Sequence, residues 1–234
     1  MFQNLYDSIL PHICCLCDNK GTNGLDLCVY CHKNLPWNLS CCHKCACPLP
    51  DQRRINDQCG RCLNNLSDID RSIIPFLYRP PVDFMVRRLK FSSDTKFSRL
   101  AGELISHAVS SQAALENDLP DLLLPVPINS HRLMQRGFNQ AALIADVVAE
   151  RLSIQCSSGA VQRINQQLQQ SGLSARDRET NIRRAFSVTG EVEGLHVAII
   201  DDVYTTGATA RAIARQLRRA KASKISVWAF ARTP

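Results

Sequence analysis

The sequence predicts an α/β fold, a parallel-sheet domain preceded by a small cysteine-rich module. Three observations predict it. The run Val197-Ala198-Ile199-Ile200 is apolar, largely β-branched and without helical spacing, which fits a strand buried on both faces. It stops at Asp201 and Asp202. A turn, Thr205-Thr206-Gly207-Ala208-Thr209, follows, and then a helical pattern with Ala210, Ile213, Ala214 and Leu217 on one face. Finally, eleven of the twelve cysteines lie between Cys14 and Cys62, mostly in C-x-x-C pairs. We therefore divide the chain at 1–66, the cysteine module, and 67–234, the α/β domain.

Bulk properties agree. At 234 residues the chain suits one ordinary domain plus a small module, and 45% hydrophobic content is ample for a core. The formal charge is +7, yet the first 66 residues carry 6 basic and 5 acidic side chains. The excess thus sits in the larger part, as expected for anionic ligands or nucleic acid, or for solubility alone. No cationic stretch followed by a long apolar core opens the sequence, so no secretory signal is expected. No apolar run approaches the roughly 18 residues of a membrane span. A cytoplasmic protein without a membrane partner is the expectation.

In the module, four pairs can be drawn: Cys14/Cys17, Cys28/Cys31, Cys42/Cys45 and Cys59/Cys62. A C-x-x-C turn aims two thiolates at one point, and two turns complete a tetrahedral Zn²⁺ site. Two structural zincs follow, assigned here by sequential pairing, with an interleaved arrangement left open. Four-cysteine sites have no open position, so these zincs are read as folding devices for a segment with little core of its own. Cys15, Cys41 and Cys47 are read as bystanders, although Cys15 and Cys41 could replace a neighbouring ligand by a one-residue slip. His12, His32 and His43 are read as surface residues. Lys33, Lys44, Arg53, Arg54 and Arg61, with Trp37 and Tyr30, permit nucleic-acid contact.

Arg71 to Tyr78 reads as a strand, with Pro75 marking an edge or bulge. Val82, Met85, Val86 and Leu89 have the spacing of an amphipathic helix. Arg87, Arg88 and Lys90 beside them read as a solvated basic face, with phosphate contact the alternative. A second helix is expected from about Thr95 to Ser110, then a loop over 111–120. Leu122-Leu123-Leu124 with Val126 is a further strand, and a helix containing Leu143, Ile144, Val147 and Val148 comes later. The loop between them brings Arg132 and Arg136 to the carboxyl edge of the sheet, where guanidinium groups suit a diphosphate. Helix-surface charge is the alternative reading. Residues 154–194 are polar, cationic and poor in core-forming side chains, as a connector would be; Cys156 reads as a small buried residue. Arg211, Arg215, Arg218 and Arg219 stripe the helix after the glycine turn, complementing its dipole or contacting DNA. Ile225 to Ala231 forms the last strand.

The chemistry converges on the acidic turn. Ligands of open α/β sheets sit beyond the carboxyl ends of the strands. A helix N-terminus offers unpaired N–H groups and a favourable dipole to a phosphate. Gly207 lets the backbone approach closely. Two carboxylates suit sugar hydroxyls or Mg²⁺ rather than the phosphate itself. No G-x-x-x-x-G-K-[ST] loop is present, which argues against an ATPase reading of the strand.

Val197 to Thr209, thirteen positions without a gap, resembles the phosphoribosyl-pyrophosphate (PRPP) signature of type I phosphoribosyltransferases. Pro125-Val126-Pro127, Arg132, Arg136-Gly137-Phe138-Asn139-Gln140 and Leu89-Lys90-Phe91 resemble the competence protein ComF (ComFC/GntX-like) family. So do Arg163, Gln169, Leu173-Ser174, Arg176, Asn181 and Ala185-Phe186. That resemblance implies a double zinc ribbon ahead of a phosphoribosyltransferase-like domain, with 154–194 as a hood over PRPP. It implies Asp201 and Asp202 on the ribose diol with Mg²⁺, Thr205, Thr206, Gly207, Ala208 and Thr209 around the 5′-phosphate, and Arg132 and Arg136 on the diphosphate. It further implies a role in natural transformation or DNA utilisation, single-stranded DNA as a partner, and a helicase-like ATPase or recombination mediator as a second. The alternative is a working Mg²⁺-dependent phosphoribosyltransferase with an unknown acceptor. A third is a pure adaptor. No catalytic residue is assigned, and Trp228 and Phe138 are read as core rather than base-stacking residues.

Overall fold

The structure is a computed structural model that describes residues 12–22, 24–50, 58–64, 67–91, 95–116, 118–164 and 185–234. Two short helices, α1 (Val29–Lys33) and α2 (Gly60–Asn64), lie in the cysteine-rich segment. Then follow β1 (Arg71–Ile73), β2 (Phe76–Leu77), α3 (Val82–Phe91), α4 (Lys96–Glu116) and β3 (Leu122–Pro125). After these come α5 (Ser130–Arg136), α6 (Gln140–Leu152), β4 (Gln155–Cys156), β5 (Val161–Arg163) and β6 (Phe186–Val188). The chain closes with β7 (His196–Tyr204), α7 (Ala208–Arg219) and β8 (Lys224–Arg232).

Six strands make one parallel sheet in the order β1-β8-β7-β3-β4, with β2 also on β8. β5 and β6 form a separate antiparallel hairpin. Alternation along the central strands sorts two cores. Ala198, Ile200, Trp228 and Phe230 face α3, α4 and α6, while Val197, Ile199, Val227 and Ala229 face α7 and the hairpin. Both faces are covered, which is why the strands read as continuous apolar runs.

The stretch expected as one strand from Arg71 to Tyr78 is two, broken at Ile74-Pro75. Proline has no N–H for the ladder, and its carbonyl instead accepts from Asn38 N at 2.8 Å. Leu77 N donates to Pro36 O at 2.8 Å, and Trp37 bridges Phe76. The cysteine-rich segment thus covers this edge of the sheet. α4 runs to Glu116, through most of the expected loop at 111–120.

The same segment shares both cores. Cys14, Leu25, Leu27, Cys28 and Leu35 pack with Phe76, Val86 and Leu100, and Ala46 packs with Ile74 and Val227 on the other face. The Trp37 ring lies tilted against Phe76, centroids 4.7 Å apart, and Phe76 in turn meets Phe230 at 5.3 Å. Trp228 is a core residue, 2% exposed, as expected.

Candidate functional site

β7 does not end at the acids; it continues to Tyr204, paired with β8 as far as Arg232. On its other side the ladder stops at Ile200 opposite Pro125. Beyond that point β7 has a neighbour on one side only, and a cavity of about 180 Å³ opens between it and the loops after β3. Period-two geometry sends the two acids to opposite faces of the strand. Asp202 follows Ala198 and Ile200 toward α3, where Lys90 Nζ lies 2.8 Å from its Oδ2. The contact is an ion pair rather than an aligned hydrogen bond, since buried Oδ2 has no hydrogen-bond partner among the described residues. Asp201 Oδ1 accepts from the Asp202 amide at 2.8 Å. Burial, then the charge of Asp202, pushes the Asp201 carboxyl well above the usual carboxylate range, against a smaller pull from Lys90. A buried carboxylate oxygen without a hydrogen bond, beside an acid that resists ionising, fits a site completed by a divalent cation.

Cations line the opposite wall. Arg132 is exposed and Arg136 half-buried, both on α5, a helix rather than the expected loop. The residues after them shape it. Gly137 ends α5 in the left-handed region (φ 78°), its N–H bonding Leu133 O; Asn139 caps α6 and also donates to Val126 O at 3.0 Å. Gln140, 8% exposed, accepts from Arg136 Nη1 at 3.1 Å. Arg163 enters from β5; its Nε is buried with no hydrogen-bond partner among the described residues. Burial first, then Arg132, lowers the Arg163 pKa. Repulsion between neighbouring guanidiniums is relieved when an anion sits between them.

The structure brings Asp201, Asp202, Thr209, Arg132 and Arg136 to this one cavity, with Lys90 and Arg163. Thr205 and Thr206 are exposed on the turn, Gly207 is buried and Ala208 is half-buried. None of these four lines the cavity; Thr205 to Gly207 form the turn that leads into α7, and Ala208 is its first residue. Gly207 has φ 74°, and a Cβ there would lie 2.2 Å from the Tyr204 hydroxyl, so both backbone and space require glycine. Thr206 Oγ1 accepts from Ala208 N at 3.3 Å, and Arg211 holds Thr206 O at 2.8 Å.

Lys90 departs from expectation. Arg87 and Arg88 are exposed, Arg87 pairing with Asp83, but Lys90 turns inward. The signal was its position four residues after buried Val86, on the same helix face. Asn129 also lines the cavity, buried and capping α5. Of the basic stripe on α7, Arg211 serves the turn, Arg215 reaches Asp68 at 4.0 Å, and Arg218 pairs with Asp70 and holds Ala222 O and Ser223 O. The expected hood contributes β5 and β6. Residues 165–184, with Gln166, Gln167, Gln169, Gln170, Leu173, Ser174, Arg176, Asn181, Arg183 and Arg184, lie outside the described residues, as do Arg53 and Arg54.

The cysteines gather by sequential pairs. The Sγ atoms of Cys14, Cys17, Cys28 and Cys31 lie within 4.8 Å of one another, and so do those of Cys42, Cys45, Cys59 and Cys62. Backbone amides also aim at the sulfurs, as Cys31 N does at Cys28 Sγ, 3.4 Å away. In the second cluster the Cys45 thiol, against burial, pulls Cys42 down to about 4, while burial first pushes Cys62 up to about 12. One sulfur in the cluster therefore carries charge readily, and a cation would draw the others after it. Both four-cysteine clusters fit Zn²⁺. Cys15, Cys41 and Cys47 lie outside them, as expected, and no histidine joins either cluster among the described residues.

Comparison with known proteins agrees with this architecture. A family profile described as the double zinc ribbon domain matches residues 5–63. DNA utilization protein YhgH of Salmonella typhimurium (strain LT2) is 32% identical over 226 residues, covering 96% of this chain and 98% of that protein. Competence protein F of Haemophilus influenzae is 32% identical over 214 residues, 90% of this chain and 91% of its own. Competence protein ComFC of Bacillus subtilis is 28% identical over 159 residues, 68% and 62% respectively. Among solved structures, the glutamine PRPP amidotransferase of B. subtilis aligns with 61% of this chain and 30% of its own at 20% identity and a TM-score of 0.41. A hypoxanthine phosphoribosyltransferase of Staphylococcus aureus aligns with 58% and 65% at 14% identity and 0.37. Likenesses this distant carry no functional weight. With a third of its residues shared along almost its whole length, the chain belongs to the family of DNA utilization protein YhgH and competence protein F, and joins a double zinc ribbon to a parallel-sheet α/β domain.

Proposed function

We propose that this chain is a cytoplasmic DNA-utilisation factor whose cavity takes PRPP or a closely related sugar phosphate together with Mg²⁺. One observation carries the reading: two adjacent acids and four cations, Lys90, Arg132, Arg136 and Arg163, face one cavity at the point where β7 loses a neighbour. A ligand with a diol at one end and clustered negative charge at the other satisfies both walls. Asp201 and Asp202 would hold Mg²⁺, which supplies neutralising charge to the diphosphate. With the cation bound, Asp201 would hold it as a carboxylate, and Lys90 would be released from Asp202 to add to the cationic wall. Thr209 and the N-terminal amides of α7 take the 5′-phosphate, and Arg136, aligned by Gln140, takes the diphosphate with Arg132 and Arg163.

The relatives' names motivate the DNA half of the proposal. Tyr30 is 76% exposed beside exposed Lys33, an aromatic and a cation of the kind that tracks single strands. Partner proteins of the helicase or recombination-mediator type would act on the same strand. The zinc clusters supply folding rather than chemistry.

Isothermal titration with PRPP and Mg²⁺ tests the site. Binding is expected in the parent and absent in Asp201→Asn/Asp202→Asn. A pyrophosphate-release assay over candidate acceptors and single-stranded DNA then separates the alternatives. Binding without release supports a ligand-sensing DNA factor, and release with a defined acceptor makes the chain a phosphoribosyltransferase. No binding at millimolar ligand sinks the reading.

A further inference from the structure

Arg232, near the end of β8, is buried at 6% exposure and has no carboxylate partner among the described residues. Besides the neighbouring Thr233, whose carbonyl and hydroxyl accept from Nη1, it bonds backbone carbonyls of two separate segments. Nε donates to Cys45 O at 3.1 Å, and Nη1 donates to Tyr204 O at 3.2 Å and Thr205 O at 2.7 Å. The guanidinium also lies 5.2 Å from the Tyr204 ring, and the hydroxyl of that ring is the atom that excludes any Cβ from Gly207. One side chain therefore joins a cysteine of the second cluster to the turn that opens α7.

The cysteine end of this strut is itself fixed. Three consecutive carbonyls of the Cys42–Cys45 knuckle are taken by the sheet: His43 O by Ser72 N at 2.7 Å, Lys44 O by Ser72 Oγ at 2.6 Å, and Cys45 O by Arg232. A C-x-x-C knuckle keeps its carbonyls in one orientation when both sulfurs grip a metal. Charge points the same way. A buried guanidinium whose acceptors are carbonyls and one hydroxyl has no carboxylate counter-ion among the described residues. Four thiolates around Zn²⁺ carry a net charge of about −2, which supplies one nearby.

We propose that Arg232 is a positioning residue, holding the Thr205–Thr209 turn against the second four-cysteine cluster so that the state of that cluster sets the readiness of the turn. This rests on the sugar-phosphate reading for its functional meaning, but its structural content stands alone. Carbonyls of Tyr204 and Thr205 that are tethered inward leave the following amides facing outward, where an anion would meet them. A released tether frees the turn.

Hydrogen–deuterium exchange on the full zinc-loaded chain tests this without ligand. Arg232→Met should speed exchange at amides 205–209 by at least about tenfold, the effect of losing charge-assisted hydrogen bonds, while amides 122–124 of β3 stay protected. Arg232→Lys should not restore protection, because one ammonium cannot span both segments. In a second arm, a chelator removes zinc stepwise from the unmodified chain, and released metal is followed with an indicator dye. The turn is expected to open before β3. If Arg232→Met does not fold, this arm decides. Turn amides that exchange as in the parent, or that open only together with β3, overturn the proposal. Calorimetry with PRPP and Mg²⁺ on the same samples separates the two ideas: a parent that binds no PRPP refutes the ligand assignment, while the exchange data still judge the strut.

Discussion

Asp201 sits where function and stability conflict. Its carboxyl ionises normally in the unfolded chain and only at higher pH in the fold. Between those values the folded chain keeps a proton that the unfolded chain has lost, so stability falls as pH rises through that window and the deficit remains above it. Asp201→Asn removes the ionisation. Its melting temperature is expected to exceed the parent's at neutral pH and to match it in acid, while PRPP–Mg²⁺ binding disappears; thermal scans across pH check both. Gly207 is the opposite case. Alanine there meets a disfavoured φ and the Tyr204 hydroxyl together, so Gly207→Ala is expected to cost about 1–3 kcal/mol in denaturant unfolding. Both residues were legible in the sequence, because acids after an apolar run and a glycine before a helix are local signals. Lys90 was not read this way, because its partner lies more than a hundred positions away along the chain.

Among elements, α7 shows how a sequence pattern can leave partners open. Its arginine stripe reads as dipole complementation or as a nucleic-acid surface. Arg218, however, holds Ala222 O at 3.0 Å, Ser223 O at 2.8 Å and Asp70 besides, and so fastens the α7–β8 turn to the start of β1. Arg218→Ala is expected to destabilise by about 1–3 kcal/mol in urea melts, with little change in the salt dependence of single-stranded DNA binding. A large fall in that dependence would restore the DNA reading of the stripe. Strand and helix identities were readable from period, as α3 shows: Val82, Met85, Val86 and Leu89 are all buried. The break between β1 and β2 was visible only as Pro75. The helical placement of Arg132 and Arg136 was hidden because α5 has no buried residue to generate a period. β4, two residues long, carries no pattern at all.

For the molecule as a whole, composition and cysteine spacing indicated two parts, and the structure shows how closely they are joined. Residues from both lie in both cores, contacts that no local reading of either part supplies. Removing zinc should therefore disturb more than the ribbon. Leu25, Leu27 and Leu35 would lose their fixed positions against Phe76 and its neighbours, and Trp37 its place on Phe76. A chelator is expected to shift Trp fluorescence and to lower the melting temperature of the entire chain in one transition. Two separate transitions, with the α/β domain's unchanged, would count against that coupling.

The strip at Pro36–Asn38 along β2 has one more effect. An uncovered strand at the rim of a sheet offers its backbone to any other chain that is extended nearby. Here Pro36 and Asn38 occupy those groups, and Trp37 shields the rest. A molecule stripped of its metal would present a sticky border to its neighbours, and light scattering should rise with protein concentration before unfolding is complete. In this arrangement the ribbons guard each copy against self-association.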